Sequence, residues 1–403
     1  MVEPFRVALL IESSRGYGRN LLAGIAAYAR LFGPWTFYHE ERTLDDSFPA
    51  RLKHWRPCGI IARLENKQLI RDVRRLKLPT IGVLHEDGVP DIPGIVPDQK
   101  AIAELAIEHF LERRLQHYAY CGFPEAAFSE ERCRWYVRRL ADRGYSADVF
   151  DPGHGLHPKG LAAMERHAME QTDRLAAWLS KLPKPVGLMA CNDMRAFQVL
   201  SVCREIGILV PDEVAVMGVD NDTVQCDLCD PPLSSIDNNA RQIGYQAAGL
   251  LHQMIEHGTA PPRLTFVEPA GVVVRRSTDV LAVADRATIE IVRYVRDHAC
   301  EGLTPAMLAE HIAMSRSTLE RRFAQHLGHS VNHEIQHVRL QRVKELLSTS
   351  DLSLAEIARL TGYVHVETMQ RSFKNQTGQA PGQYRGRCRR VENMSGKESA
   401  TQA

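Results

Sequence analysis

Three clusters of polar side chains in this 403-residue chain each follow a short apolar run. Glu12, Arg15, Tyr17 and Arg19 come after residues 7–11, Asn192, Asp193 and Arg195 after 187–190, and Asp220, Asn221 and Asp222 after 214–219. Adjacent carboxylates and amides can grip vicinal hydroxyls two at a time, and a tyrosine can cover the apolar face of a sugar ring. Each cluster alone has a plainer reading, because Asn, Asp and Gly populate turns for backbone reasons. Three of them at successive strand ends favour a shared small ligand. Phosphate is less supported: there is no P-loop and no G-x-G-x-x-G, and Gly16-Tyr-Gly18 is too little.

The last third carries a different chemistry, twice, about 50 residues apart. In the first copy Thr304-Pro305 supplies a helix N-cap and a proline at the first helical position. Residues 313–315 turn the chain, and Ser315 caps a helix that exposes Arg316, Ser317, Glu320 and Arg321 while burying Leu319 and Phe323. In the second copy residues 353–356 form a capping box, Gly362 permits the turn, and the next helix exposes Val366, Glu367, Gln370 and Arg371. Such helices present polar and guanidinium groups from their N-terminal halves, as reading base edges in a major groove of duplex DNA requires. Two readers in one chain can enter successive grooves about one helical turn apart. A plain helical bundle is the alternative, and the two-fold repeat argues against it.

Two further spacings could do chemistry. His333-Glu334-Ile-Gln-His337 matches the H-E-x-x-H zinc-hydrolase pattern, with Glu334 as general base. It lies in the helix entering the link between the two readers, and no clear third ligand follows. Cys226-Asp-Leu-Cys229 is a lone C-x-x-C; structural zinc needs four ligands, so buried or loop thiols are expected. No metal, no cofactor and no catalytic residue is expected.

The elements that must position these groups come in two styles. Apolar strand candidates at 7–11, 59–62, 80–84, 118–121, 187–190 and 214–218 alternate with helical patterns at 21–30, 99–113, 131–143 and 194–206. Strict alternation argues for a parallel α/β fold. Two groups of strands, separated near 113–117, suggest two lobes with a cleft at the carboxyl ends of the strands. From residue 285 the chain is helical. The expected division is 1–275 for a two-lobed effector-binding domain, 276–284 for a linker, 285–390 for the tandem reader and 391–403 for a disordered tail.

Composition agrees with that division. Net charge is +1 overall, but residues 285–390 hold sixteen Lys/Arg against eleven Asp/Glu, whereas 1–284 hold 33 against 36. A basic module on a mildly acidic body suits a DNA reader attached to a sensor. The N-terminal apolar run is too short for a signal peptide core, and no run approaches a membrane span. Nine cysteines without a framework fit reduced thiols. A cytoplasmic protein without membrane contact is expected, which disfavours a sugar-transport component.

The helical module resembles AraC/XylS-type regulators over about 100 residues. The resemblance rests on Ser315, Ser317, Leu319, Arg321 and Phe323, the linker helix around 338–347, and Gly362-Tyr363, Arg371, Phe373, Gly378, Pro381 and Tyr384-Arg385. It implies that Ser317, Glu320, Arg321, Val366, Glu367, Gln370 and Arg371 face the bases. Met369 stands where an aromatic is common, and Glu367 where a neutral polar residue is common. Glu367 thus favours a cytosine amino donor.

Residues 191–193, 216–221 and Arg132 with Trp135, Tyr136 and Leu140 resemble the effector domain of LacI/GalR-type repressors, a type I periplasmic-binding-protein fold. Here the strand pattern begins at Val7, with no DNA-binding headpiece before it. That order, sugar domain then AraC-type reader, resembles the xylose operon regulator family. Tyr17 and Arg19, residues 120–125, 240–248, 275–279 and 298–300 extend the match. Residues 84–87 (Leu-His-Glu-Asp) depart from it, which leaves another aldose open as effector.

The resemblance implies a sugar-responsive, sequence-specific transcription regulator, an activator of pentose (D-xylose-like) catabolic genes rather than an enzyme. Tyr17, Arg19, Arg132, Asn192, Asp193, Arg195, Asp220 and Asn221 are the implied sugar contacts. Operator half-sites in double-stranded DNA, a homodimer partner and RNA polymerase are the implied macromolecular partners.

Overall fold

The computed structural model describes residues 4–41, 48–49, 51–64, 67–83, 89, 91–124, 126–153, 160–170, 172–258, 262–280, 286–350 and 352–386. The chain divides into two compact units, Met1–Val280 and Leu281–Ala403.

The first unit opens with strands and helices in alternation as far as β4: β1 (Phe5–Leu10), α1 (Gly16–Phe32), β2 (Trp35–Tyr38), α2 (Leu52–Trp55), β3 (Gly59–Arg63), α3 (Lys67–Leu76), β4 (Thr80–Val83) and then β5 (Gly94–Pro97). β3, β4 and β5 are buried along their whole length, as expected of parallel strands covered on both faces. The chain then crosses to a second lobe with α4 (Gln99–Glu112), β6 (His117–Cys121), α5 (Ala127–Ala141), β7 (Ala147–Val149), α6 (Leu161–Glu170), α7 (Thr172–Lys181), β8 (Val186–Ala190), α8 (Asp193–Glu205), β9 (Val214–Val219), α9 (Thr223–Leu228) and β10 (Ser234–Asp237). It returns to the first lobe for α10 (Ala240–His257) and β11 (Leu264–Val267), then re-enters the second as β12 (Gly271–Val273) and a 3-10 turn, Arg276–Thr278.

The two sheets share one plan. Their strand orders are β2-β1-β3-β4-β5-β11 and β7-β6-β8-β9-β10-β12, parallel throughout except that β12 runs antiparallel to β10. Each therefore has a switch point beside its first strand, where ligands gather at the carboxyl ends.

Three stretches cross between the lobes, at 97–99, 237–240 and 267–271. They are laced together: Asp98 N–H donates to Val267 O (2.9 Å), Ala270 N–H to Asp237 O (2.8 Å), and Asn239 Nδ2 to Glu268 O (3.2 Å). The first crossing lies well before the expected 113–117. Ile102, Ala106, Ile107 and Phe110 of α4 pack into the second lobe's core with Tyr118 and Tyr136, so the helix belongs there. In the first lobe α1 and α10 touch backbone to backbone. A Cβ on Gly24 would collide with the Arg241 carbonyl, and one on Gly244 with the Leu21 carbonyl.

The expected linker also begins later than position 276. Ser277 and Thr278 are fully buried in the second lobe, so 276–280 belong to the folded unit; 281–284 and the tail 391–403 lie outside the described residues.

The helical unit comprises α11 (Arg286–His298), α12 (Pro305–His311), α13 (Arg316–Leu327), α14 (Val331–Thr349), α15 (Leu354–Leu360) and α16 (Val366–Thr377). Two small cores form, one around Val292, Leu308, Leu319, Phe323 and Ile335, the other around Leu340, Leu347, Ile357, Met369 and Phe373. α14 contributes to both, so it sets the spacing between the readers. No helix among the described residues is long and apolar enough to cross a membrane.

Candidate functional site

The cleft of the first unit lies at both switch points. β1 delivers Ser14, Arg15 and Tyr17, β3 delivers Arg63, β8 delivers Asn192 and Asp193, and β9 delivers Asp220 and Asp222. The main cavity measures about 250 Å³ and is lined by Ser14, Arg15, Gly16, Tyr17, Glu165, Asn192, Asp193, Met194, Asp220, Asp222 and Gln225. A recess of about 30 Å³ continues from it between Arg15, Tyr17, Arg63, Phe128, Arg132, Leu161, Asn192 and Asp220. Its walls alternate charged forks with aromatic and aliphatic faces, the lining a polyol with one apolar face requires.

The recess is balanced in charge. Arg63 is buried and paired with buried Glu12. Arg15 meets Glu165 through two bonds, of 2.5 and 2.7 Å. Arg132, also buried, donates from Nε to Gln99 Oε1 (2.8 Å) and from its NH1 to the Cys191 carbonyl. Asp220 accepts from Asn238 Nδ2 (2.6 Å). Three guanidiniums thus face Glu12, Glu165 and Asp220. A neutral ligand fits this balance; a phosphate or carboxylate would carry charge without a free counterpart. Burial pushes the Asp220 carboxyl up to about 6, against the pull of Arg132, Arg63 and Arg15. Burial also raises Asp193 well above the usual carboxylate range, with Asp220 adding repulsion.

Of the eight expected sugar contacts, Tyr17, Arg132, Asn192, Asp193 and Asp220 line this space. Asp193 does so with both oxygens engaged, Oδ1 by the Ser235 hydroxyl (2.6 Å) and Oδ2 by the Asp222 N–H (2.8 Å). Arg19, Arg195 and Asn221 do not line it. Arg19 turns to the carbonyls of Ser13 and Ser14 and to Asp222. Arg195 donates to Gln198 Oε1 (2.7 Å) and lies 5.2 and 5.1 Å from the ring centres of Phe123 and Phe150. Five residues after the strand end, the first turn of α8 has already carried its side chain into the lobe. Asn221 accepts from Arg275 (3.1 Å). Arg63, Glu165, Phe128 and Leu161 join the lining without having been singled out, and Arg15, named in the first polar cluster but not among the eight contacts, joins it too. Residues 84–87 lie outside the described residues.

The lobes touch across the mouth of the cleft. Asp222, from the second lobe, accepts from the Gly16 N–H (2.8 Å) and from Arg19 (3.2 Å) of the first. A Cβ on Gly16 would lie 2.6 Å from the Asp222 side chain, so glycine is required for this approach.

The reader helices are capped as expected. Thr304 accepts from Met307 N, Ser315 from Thr318 N, and Ser353 with Glu356 forms a capping box. Arg316, Ser317, Arg321, Glu367 and Arg371 are exposed. Three of the expected base-facing residues are half-buried. Glu320 Oε2 accepts the Val331 N–H (3.2 Å), Val366 packs on the second core, and Gln370 is partly covered. The readers are tied together. Arg339 donates to the carbonyls of Ala299 (2.8 Å) and Leu303 (2.9 Å). Gly362, at φ 73°, leaves room where a Cβ would lie 2.9 Å from the Ala299 and Cys300 carbonyls. Ser353→Ala removes the box and costs about 0.5–2 kcal/mol. Amide exchange across 354–360 should then accelerate roughly 2- to 30-fold where exchange proceeds by local opening; unchanged exchange would show that packing alone holds α15.

The two other spacings have structural duties. His333 and His337 are exposed, while Glu334 is buried against Arg296 (3.5 Å) and His329 (3.4 Å). No group of three or more His, Cys, Asp or Glu among the described residues could hold a metal. Cys226 and Cys229 are buried free thiols, and burial raises both, Cys229 to about 12.

Comparison with known proteins covers nearly the whole chain. Residues 6–98 match a family described as the XylR N-terminal domain, 107–278 a periplasmic binding protein-like domain, and 308–387 a helix-turn-helix domain. The chain is 31% identical over 391 residues to the xylose operon regulatory protein of Escherichia coli (strain K12), covering 94% of this chain and 96% of that one. It is 28% identical over 392 residues to the protein of the same description from Haemophilus influenzae, covering 95% and 99%. A solved structure described as a xylose-binding transcription activator superposes with a TM-score of 0.78 at 30% identity, over 94% and 97% of the two chains.

Proposed function

This chain belongs to the xylose operon regulatory protein family, and from that premise we propose that it is a transcription activator of pentose-catabolic genes gated by D-xylose or a near relative. The observation that carries this is the cleft of about 250 Å³ between two lobes, continued by the aromatic-walled recess, in a chain that also carries a double DNA reader. In this reading Asp220 and Arg132 bind sugar hydroxyls from opposite charges, Asn192 adds an amide, and Tyr17 and Phe128 cover the apolar face of the ring. Arg15 and Glu165, paired across the lobes, close over the ligand.

Closure then sets the geometry in which two protomers present their readers to half-sites. The protomers pair through the first lobe, and DNA-bound protein recruits RNA polymerase. A switch from 1:99 to 99:1 needs the sugar to favour the active state by about 5.5 kcal/mol. A calorimetric panel of D-xylose, L-arabinose, D-ribose, D-glucose and D-xylose 5-phosphate tests the reading. D-xylose should bind most tightly and the phosphate not at all. Binding of the phosphate in preference to the neutral sugars would overturn it.

A further inference from the structure

We infer that Arg275 is a positioning residue that ties closure of the cleft to the segment leading into the DNA readers, acting through Asn221. This rests on the reading of the chain as a sugar-gated regulator.

Asn221 stands between the cleft-lining Asp220 and the interlobe contact Asp222. Asp220 and Asn221 both have positive φ, 107° and 48°. Two consecutive non-glycine residues in that region must be held by their surroundings. The holding is visible. The Asn221 N–H donates to Ser235 Oγ (3.0 Å) and Asp222 N–H to Asp193 Oδ2 (2.8 Å). The Asn221 side chain points away from the cavity. Its Oδ1 accepts from Arg275 (3.1 Å), and its Nδ2 lies 3.5 Å from Asp237 Oδ2, at the crossing between β10 and α10. One amide therefore meets the tip of the sugar site, a crossing between the lobes and Arg275.

Arg275 spreads its fork over three elements: Asn221, the Leu233 carbonyl (2.9 Å) and Asp227 (3.4 Å). Its backbone is clamped as well, donating to Ser234 Oγ (2.8 Å) and accepting from it (2.9 Å). The next residues continue the clamp. Ser277 Oγ donates to Val216 O (2.6 Å), Thr278 Oγ1 to Ser234 Oγ (2.8 Å), and Arg113 to Thr278 O (2.7 Å). Two residues after Thr278 the first unit ends. A movement of 220–222 on sugar release thus pulls directly on 275–278, close to the end of the first unit. Only a planar fork reaches Asn221, Leu233 and Asp227 together; a lysine ammonium serves one at a time.

The test uses the full chain as wild type, Arg275→Lys and Asn221→Gly; glycine keeps the positive φ and deletes only the amide. D-xylose affinity is measured by calorimetry, free and with a saturating duplex selected by the wild-type chain from a random library. Linkage requires the wild-type sugar affinity to change with DNA by the same factor as DNA affinity changes with sugar, typically about 5- to 150-fold. Both variants should keep the DNA-free sugar affinity within about twofold and lose the DNA-dependent change, their ratio falling to near one. A wild-type ratio in either variant overturns the inference. So does loss of DNA-free sugar affinity, which would make these residues part of the binding site. A ratio of one in the wild type would instead overturn the functional reading, and the inference with it.

Discussion

Asp220→Asn should weaken D-xylose binding by roughly 30-fold or more while the first unit stays folded. Asparagine keeps the shape and can still accept the Asn238 bond, so the variant removes charge rather than packing. Losing one charged partner from a buried hydrogen-bonded pair costs about 2–5 kcal/mol. Here it would leave Arg132, Arg63 and Arg15 facing one carboxylate fewer.

The same carboxyl gives affinity a pH dependence of known sign. In the proposed site sugar hydroxyls donate to the ionised form, and burial raises this group to about 6. Protons therefore compete with the sugar below that value. Affinity should be flat above it and fall by up to about tenfold per pH unit beneath it. Wild-type affinity in the variant, with a flat profile through pH 6, would remove Asp220 from the site.

The second large effect lies in the first reader. Arg321 is exposed on α13 on the same helix as Arg316 and Ser317. If its fork grips a guanine edge, Arg321→Ala costs about 1–3 kcal/mol, or roughly 5- to 150-fold, on the selected sequence and much less where that guanine is replaced. An equal loss on every duplex would make it a phosphate contact, recognised by a shallower salt dependence. The second reader offers less, because Val366 and Gln370 are partly covered and Glu367 is the acidic member of its exposed set. On the proposed reading the first reader should therefore carry more of the sequence preference.

The legible part of the site is the part that ends apolar runs. Asp220 stands directly after β9 and Asn192 two residues after β8, where a parallel sheet delivers its ligands. The same rule overreaches at Arg195 and Asn221, because a helical turn or a positive φ rotates a side chain away from the strand end within two to five residues. Arg63 is hidden for the opposite reason. It closes the buried run of β3, and nothing local marks its partner Glu12, 51 positions earlier, as waiting for it. Glu165 and Leu161 lie on α6, which follows only the three-residue edge strand β7, so no long apolar run marks them in the sequence. Edge strands such as β7 and β12, three residues each, carry too little alternation to read. The reader module was the most legible region, since its caps are local: Thr304, Ser315 and Ser353 each take the amide three residues on.

The central claim is that one chain couples a sugar in the first unit to DNA held by the second. The most direct measurement is the affinity of the full chain for its selected duplex, by fluorescence anisotropy, without and with saturating D-xylose. The account predicts that D-xylose tightens binding, and that Asp220→Asn binds the duplex as the sugar-free wild type does at either sugar concentration. Equal wild-type affinity with and without any sugar in the panel would contradict it.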